Sequence, residues 1–315
     1  MVDYLDEIIG QDTAKRFIHT AIKKKKLYNF LFVGPKGVGK RLLGFALAKT
    51  LNSPPNSPNF ILVAPIPSKI KNKVDKIYEY TKQYLPEYPV IEVEDRASIL
   101  IEQIRNLIQR LIYMPASGSQ RVVLILEADK MTAEAANCFL KTLEEPPLDT
   151  VFILTTSRPN FLLPTIRSRC QIVPFNYLSN DQIESIIFDG HDEFRLGSPG
   201  EILTLRQNNF IDCAYTIFKY SPLDTKTAAA KAKELERKKT IDIFYPLLLL
   251  YRLVLYKKLN INIHSAFEGE IIKKANNISL EDTVNTLMML NHSINMLEQN
   301  PNQLLLLFNT LAKLT

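Results

Sequence analysis

The chain has 315 residues, 46% hydrophobic and 23% charged, which indicates a globular protein of two or three domains and excludes a disordered chain. Its net charge of +6 permits a polyanionic partner without requiring one. The three cysteines form no CxxC pair, which argues against a zinc ribbon and a disulfide framework and favours a reducing compartment. The acidic start lacks a secretory layout and no apolar run reaches the ~20 residues of a membrane span, so we expect a cytoplasmic protein.

The first half of the chain alternates predicted strands and helices. Apolar runs predict strands at 30–33, 60–64, 122–126, 151–155 and 171–175. Helical spacing predicts helices at 13–25, 42–51, 99–112, 133–143 and 162–167, with a surface insertion at 68–89. Such alternation predicts an α/β fold with a parallel sheet covered by helices.

After Phe175 the strand signals stop and only helices are predicted. These helices are 179–188, 199–207, 211–218, 225–239, 241–259, 279–299 and 302–314. We therefore expect three domains: an α/β domain over 1–175, a small helical domain over 176–220 and a larger helical domain over 221–315.

A glycine-rich loop follows the first predicted strand and precedes a helix, which is the setting of a phosphate-binding loop. Gly34, Gly37 and Gly39 let backbone N–H groups turn inward to cradle phosphate, and Lys40 would reach the β and γ oxygens. An active loop has Ser or Thr after the lysine because that hydroxyl binds Mg²⁺, but here the residue is Arg41. Phosphate binding can survive this change, whereas metal-assisted hydrolysis should not.

The strand at 122–126 is followed by acidic residues, and two registers are open for them. Hydrolases of this class end this strand in one acid that holds Mg²⁺ and a second that activates water. The register we favour puts Leu126 at the metal position and Glu127 at the water position, so both Mg²⁺ ligands are missing. The other register uses Glu127 and Asp129, which point the same way on an extended chain.

The third candidate site is Ser168-Arg169-Cys170, just before the last predicted strand. An arginine on a short loop at the edge of a nucleotide domain can reach a neighbour's γ-phosphate, because guanidinium stays charged and binds oxyanions in a planar fork. From these residues alone a surface salt bridge is the favoured alternative. Cys170 is predicted to be a small core residue and not a nucleophile. The four histidines show no metal-ligand spacing.

Three segments together resemble the AAA+ clamp-loader family: the glycine loop at 34–40, the run AANCFLKTLEEPP at 135–147, and Ser-Arg-Cys at 168–170. The sequences Ile-Gly-Gln at 9–11 and Gln-Ile-Arg at 103–105 are also similar to that family. The resemblance covers roughly residues 4–200, and its most specific part is the pair LKTLEEPP and Ser-Arg-Cys. The family includes the delta-prime subunits of bacterial DNA polymerase III, which this sequence resembles.

The resemblance implies an AAA+ domain, a helical lid and a helical collar that joins a hetero-oligomeric ring. It implies a subunit that is not an ATPase on its own and inserts Arg169 as a finger into the ATP site of an adjacent motor subunit, with Ser168 and Cys170 as structural neighbours. Thr155 or Thr156 would form the first sensor. Gly200 stands where active members carry the arginine of the second sensor.

The resemblance also implies partners. These are the motor (gamma/tau) and delta subunits and, through the complex, the sliding clamp and primer–template DNA contacted through its backbone, but no membrane. No cofactor is expected beyond weakly bound nucleotide or an anion at the phosphate loop. Many bacterial relatives hold a four-cysteine zinc module that would fall near 52–60, where this chain has no cysteine, so no zinc is predicted.

The alternative function is an active ATPase of the same family, either a motor subunit or a branch-migration helicase. Arg41, Leu126 and Gly200 argue against it.

Overall fold

The computed structural model describes residues 3–27, 29–67, 70, 74–88, 97–115, 120–187, 197–207, 209–235, 240–262, 265, 267–297 and 302–315. The chain divides into two compact units. The first is Met1–Ile187 with Leu196–Glu201, and the second is Phe188–Arg195 with Ile202–Thr315. The predicted domain boundaries at 175 and 220 stay predictions.

The first unit is built on a parallel five-stranded sheet. Its strands are β1 (Phe30–Val33), β2 (Phe60–Val63), β5 (Arg121–Ile125), β6 (Thr150–Thr156) and β7 (Gln171–Pro174), in the order β2-β5-β6-β1-β7. A short antiparallel pair, β3 (Ile66–Pro67) and β4 (Ala97–Ser98), was not predicted. Every residue of β5 is buried, as expected for a central parallel strand covered on both faces. The predicted α/β class and parallel sheet are confirmed.

The first unit also contains α-helices, several of which pack on this sheet. They are α1 (Asp12–Lys23), α2 (Lys40–Thr50), α3 (Val74–Thr81), α4 (Ile101–Leu111), α5 (Ala133–Glu144), α6 (Pro164–Arg167) and α7 (Asn180–Glu184). One core cluster joins helix and strand side chains, with Leu107 of α4 and Phe139 of α5 packed with Val123 and Phe152 of the sheet. The apolar stripes that predicted α4 and α5 are therefore the faces that the sheet buries.

The second unit is helical throughout its described residues, which confirms that strands end with β7. Helix α8 (Pro199–Gln207) starts in the first unit and continues into the second. The others are α9 (Phe210–Tyr220), α10 (Thr225–Leu235), α11 (Ile241–Lys258), α12 (Glu268–Asn277), α13 (Leu280–Leu297) and α14 (Gln303–Leu311). Helix α12 was not predicted, because its sequence EGEIIKKANN has too few apolar residues to show a stripe. Among the described residues, no helix has the length and apolar character needed to cross a bilayer.

Candidate functional site

The glycine loop connects β1 to α2, as predicted. Gly37 and Gly39 have φ angles of 69° and 100°, a left-handed backbone that favours glycine. Lys40 is only 9% exposed, and its ammonium donates hydrogen bonds to the carbonyls of Gly34, at 2.5 Å, and Pro35. The group that would bind phosphate is therefore bonded to the loop's own backbone.

Burial decides the protonation behaviour of Lys40. It lowers the pKa of the ammonium from 10.5 to about 8, because the charged form loses its water. The negative charges of Glu127, Asp129 and Glu201 oppose this shift and favour the charged form. The ammonium thus lies within the field of the acids that follow β5 and of one at the start of α8.

Arg41 is bonded to the segment 84–88. Its guanidinium donates to three backbone carbonyls, those of Tyr84 (2.8 Å), Leu85 (2.7 Å) and Tyr88 (2.6 Å). Burial lowers the pKa of Arg41 to about 10, and the charge of Glu87 partly opposes this shift. At the position of the Mg²⁺-binding hydroxyl, the chain has a side chain that anchors another segment.

The anchored segment belongs to the surface insertion predicted at 68–89. Among its described side chains only Tyr84 is buried, and its hydroxyl donates to the carbonyl of Pro65 at 3.0 Å. Burial raises the pKa of this phenol. Residues 68, 69, 71–73 and 89 lie outside the described part. The sequence did not indicate how the insertion is held, because the bonds from Arg41 connect residues 43 or more positions apart.

The chain beyond β5 departs from an extended conformation at Glu127. Leu126 is buried at 3% exposure, so an apolar side chain stands where the favoured register puts a metal ligand. Glu127 has a φ of 47°, its N–H donates to Thr155 Oγ1 at 3.1 Å, and its carboxylate pairs with Lys130 at 2.8 Å. Residues Ala128–Lys130 then form a 3-10 helix. The chain is therefore not extended from Glu127 to Asp129, and the extension assumed for the second register is wrong.

Asp129 is held by side chains that sequence analysis did not single out together. Its carboxylate accepts from Thr156 Oγ1 at 2.7 Å and from Arg158 Nε and Nη2 at 3.1 and 3.0 Å. The carboxylate is only 3% exposed, so these donors account for its burial. Both sensor candidates are thus bonded to the acidic turn, Thr155 to Glu127 and Thr156 to Asp129. Arg158 was missed because no motif contains it.

The start of α8 is bonded directly to the phosphate loop. Ser198 Oγ donates to the carbonyl of Lys36 at 2.6 Å, and the N–H of Gly200 donates to the carbonyl of Gly37 at 3.0 Å. A Cβ at Gly200 would lie 2.7 Å from Gly37 Cα. An arginine of the second sensor therefore has no room at this position while the loop keeps its place.

This close contact gives a stability prediction. Gly200→Ala should lower the free energy of unfolding by about 1–3 kcal/mol, because two backbones must separate to admit the methyl group. Gly269→Ala in α12 is the control: its Cβ meets no atom within 4 Å, and alanine favours a helix over glycine by up to about 1 kcal/mol. Urea unfolding of the three proteins measures both effects. Equal stability of wild type and Gly200→Ala would contradict the packed arrangement.

Gln11 is a further residue of this site, known from the sequence only as part of a motif. Its amide nitrogen donates to the carbonyls of Val38 (3.1 Å) and Asn176 (2.7 Å), and its amide oxygen accepts from the N–H of Asn176 at 3.1 Å. One side chain thereby connects the phosphate loop to the residues that follow β7.

Arg169 lies at the opposite edge of the sheet from the phosphate loop. In the parallel register of β1 and β7, Phe30 pairs with Gln171, and Arg169 precedes that pair. The loop begins after the other end of β1, four residues and about 13 Å further along the strand direction. Arg169 and Lys40 of one chain therefore belong to opposite edges.

The Arg169 guanidinium is bonded within its own chain. Nη2 forms an ion pair with Glu144, the last residue of α5, and Nη1 donates to the carbonyl of Thr165 at 2.9 Å. The surface salt bridge that was the alternative is thus present. Cys170 is partly buried beside the core, and burial raises its pKa to about 12, so the thiol stays protonated as a packing residue and not a nucleophile.

Neither candidate metal position fits a cation. Arg41 and Leu126 stand where Mg²⁺ would need a hydroxyl and a carboxylate, and neither side chain offers an oxygen ligand. Among the described residues, Asp3, Asp6 and His19 bring possible ligand atoms together. His19 already contacts both carboxylates, at 3.1 and 3.6 Å, as an ordinary ion-pair arrangement.

Comparison with known proteins identifies the family. The family model described as "DNA polymerase III, delta subunit" matches residues 10–179, more than half of the chain. The chain belongs to the AAA+ clamp-loader family. It is 34% identical over 142 residues to DNA polymerase III subunit delta' of Pseudomonas aeruginosa, covering 45% of this chain and 40% of that protein.

Other relatives include two subunits from Bacillus subtilis. Identity to its subunit delta' is 32% over 180 residues, covering 57% of this chain and 51% of that protein. Identity to its subunit tau is 28% over 179 residues, covering 56% of this chain and 30% of that protein. The chain thus spans about half, or less, of the length of these curated relatives.

Among solved structures, a DNA polymerase III gamma subunit-related protein of Thermotoga maritima is similar at 20% identity with a TM-score of 0.49. That match covers 96% of this chain and 97% of the other.

Proposed function

We propose that this protein is a delta-prime-type, non-hydrolysing subunit of a bacterial clamp loader. In this role it helps load the sliding clamp on primed DNA and supplies Arg169 to the ATP site of a neighbouring subunit. The observation that carries the proposal is the state of its own phosphate loop. Both cations of that loop, Lys40 and Arg41, are bonded to backbone carbonyls of the same chain.

The absence of hydrolysis follows from the groups at the two metal positions. Without a hydroxyl at Arg41 and a carboxylate at Leu126, no residue there holds Mg²⁺ to neutralise charge on the transferring phosphoryl group. Any nucleotide would also have to displace the carbonyls that Lys40 already binds. We therefore expect the loop to bind nucleotide or a simple anion weakly, if at all.

A role in trans follows from the position of Arg169. Because Arg169 and the phosphate loop lie at opposite edges of one sheet, an Arg169 that contacts a nucleotide must contact one bound to another subunit. Guanidinium suits this role since its planar fork matches phosphate oxygens and its charge persists at any physiological pH.

The partners we propose are motor subunits of the gamma/tau type, and proteins named DNA polymerase III subunit gamma and subunit tau are among the relatives of this chain. A delta subunit, the sliding clamp and primer–template DNA complete the proposed assembly, with the helices of 221–315 as the collar and those of 176–220 as the lid. Such an assembly acts on chromosomal DNA, which places the protein in the bacterial cytoplasm.

The test is reconstitution. Motor and delta subunits are mixed with clamp and primed DNA, with and without this chain, and clamp loading and ATP hydrolysis are measured. We expect loading to depend on this chain and hydrolysis to increase when it is added. Equal loading and equal hydrolysis in its absence would contradict the proposal.

A further inference from the structure

Glu144 and Arg169 belong to two separate sequence motifs that the fold brings together. Asn29 fixes their relative position: its Nδ2 donates to the carbonyl of Leu143 at 2.9 Å and to the carbonyl of Arg169 at 3.2 Å. Asn29 is buried, so the backbones of both motifs are held by one internal amide. The ion pair between Glu144 and Arg169 therefore lies on a fixed frame and not between two free surface side chains.

The guanidinium is turned back toward its own chain. Nη2 is paired with Glu144, Nη1 faces the carbonyl of Thr165 and, at 3.5 Å, the hydroxyl of Ser168, and the side chain is 31% exposed. Nε is buried and donates to no acceptor within the described part of the chain. In this arrangement both Nη groups of the fork already have partners within their own chain, so a phosphate of another subunit competes with Glu144 and Thr165 for them.

We propose that Glu144 is a positioning residue that holds Arg169 against its own chain until the phosphate of a neighbouring subunit displaces the carboxylate. The functional half of this inference rests on the proposed role of Arg169. The ion pair is weak enough for a phosphate to displace the carboxylate. Because the Glu144 side chain is 48% exposed, the pair favours the bonded position of the guanidinium over the free one by about fivefold at most. An arginine finger contributes 10³–10⁵ in rate at the transition state.

The sign of the kinetic effect follows from when the pair breaks. If Arg169 leaves Glu144 when nucleotide binds, the wild type loses the ion pair in both the nucleotide-bound state and the transition state. Removing the carboxylate therefore lowers the free energy of these two states by the same amount relative to the free assembly. Glu144→Gln should then lower the KM for ATP at the adjacent site by up to about fivefold and leave kcat unchanged. If Glu144 instead held Arg169 in its productive orientation, kcat would decrease.

The first test uses the isolated full chain and does not depend on any partner. Phenylglyoxal modifies accessible guanidinium groups, and mass spectrometry resolves the rate at Arg169. We expect a rate up to about fivefold faster in Glu144→Gln than in wild type, and no change in Glu145→Gln, which removes the same charge from the neighbouring exposed residue. Equal rates at Arg169 in wild type and Glu144→Gln overturn the proposal.

The second test measures KM and kcat for ATP in the reconstituted assembly. A lower KM with unchanged kcat in Glu144→Gln, abolished when Arg169→Ala is added, supports the proposal, and a lower kcat overturns it. If phenylglyoxal modifies Arg169 faster in Glu144→Gln but Arg169→Ala has no kinetic effect, the ion pair is supported and the trans role of Arg169 is refuted. The two failures are thus distinguishable.

Discussion

In the assembled clamp loader, Arg169→Ala should lower ATP hydrolysis at the adjacent motor site about 10³-fold or more. The truncated side chain leaves the charge that develops on the γ-phosphoryl group without its guanidinium partner. Single-turnover hydrolysis with clamp and primed DNA measures this effect at one site. Arg169→Lys should lose most of the rate too, because an ammonium group keeps the charge but not the planar fork.

Arg167→Ala is the matched control. Arg167 ends α6 two residues before Arg169, so its loss changes the charge of the same loop by the same amount. We expect turnover close to wild type in this variant. Equal losses in the two alanine variants would show that the loop's charge and not Arg169 matters, and wild-type turnover in Arg169→Ala would contradict the trans role.

Arg41→Ala should be the most destabilising substitution near the phosphate loop, lowering the free energy of unfolding by about 3 kcal/mol. The guanidinium bonds three backbone carbonyls of the segment 84–88, and its loss leaves these acceptors to find water. Arg41→Lys should retain part of the stability, since one ammonium cannot span all three carbonyls. Urea unfolding at constant pH measures both variants.

The control for Arg41 is Arg105→Ala, which removes an exposed arginine from α4 and should change stability by less than about 0.5 kcal/mol. A loss of stability in Arg41→Ala no larger than in Arg105→Ala would contradict the anchoring role.

Arg41→Ser restores the hydroxyl of an active phosphate loop, yet it should not start ATP hydrolysis, because Leu126 still provides no metal ligand.

Local sequence was sufficient for the sheet and for the positions of the site. The run Phe30–Val33 is apolar at every residue and β5 nearly so, which a buried parallel strand requires, and both strands form where predicted. The phosphate loop follows from glycines at fixed spacing, and the inertness of Cys170 from its place at the entrance to β7. These features depend on neighbours within a few residues.

The contacts that give the site its character connect distant parts of the chain. Arg41 binds carbonyls 43 or more residues away, Ser198 binds the loop across 162 residues, and Glu144 meets Arg169 across 25. No periodicity or spacing pairs such residues. The extension assumed for the second register is absent for a related reason: a left-handed residue at Glu127 bends the chain at a point where the sequence alone suggested continued extension.

The inactivity that we propose for the chain's own phosphate loop is tested most directly by steady-state ATP hydrolysis of the purified chain beside its Lys40→Ala variant. We predict no turnover in either protein, with or without Mg²⁺, primed DNA and clamp. Turnover by the wild type that disappears in Lys40→Ala would contradict the account. Glu127 and Asp129 would then become the residues to test as metal ligands.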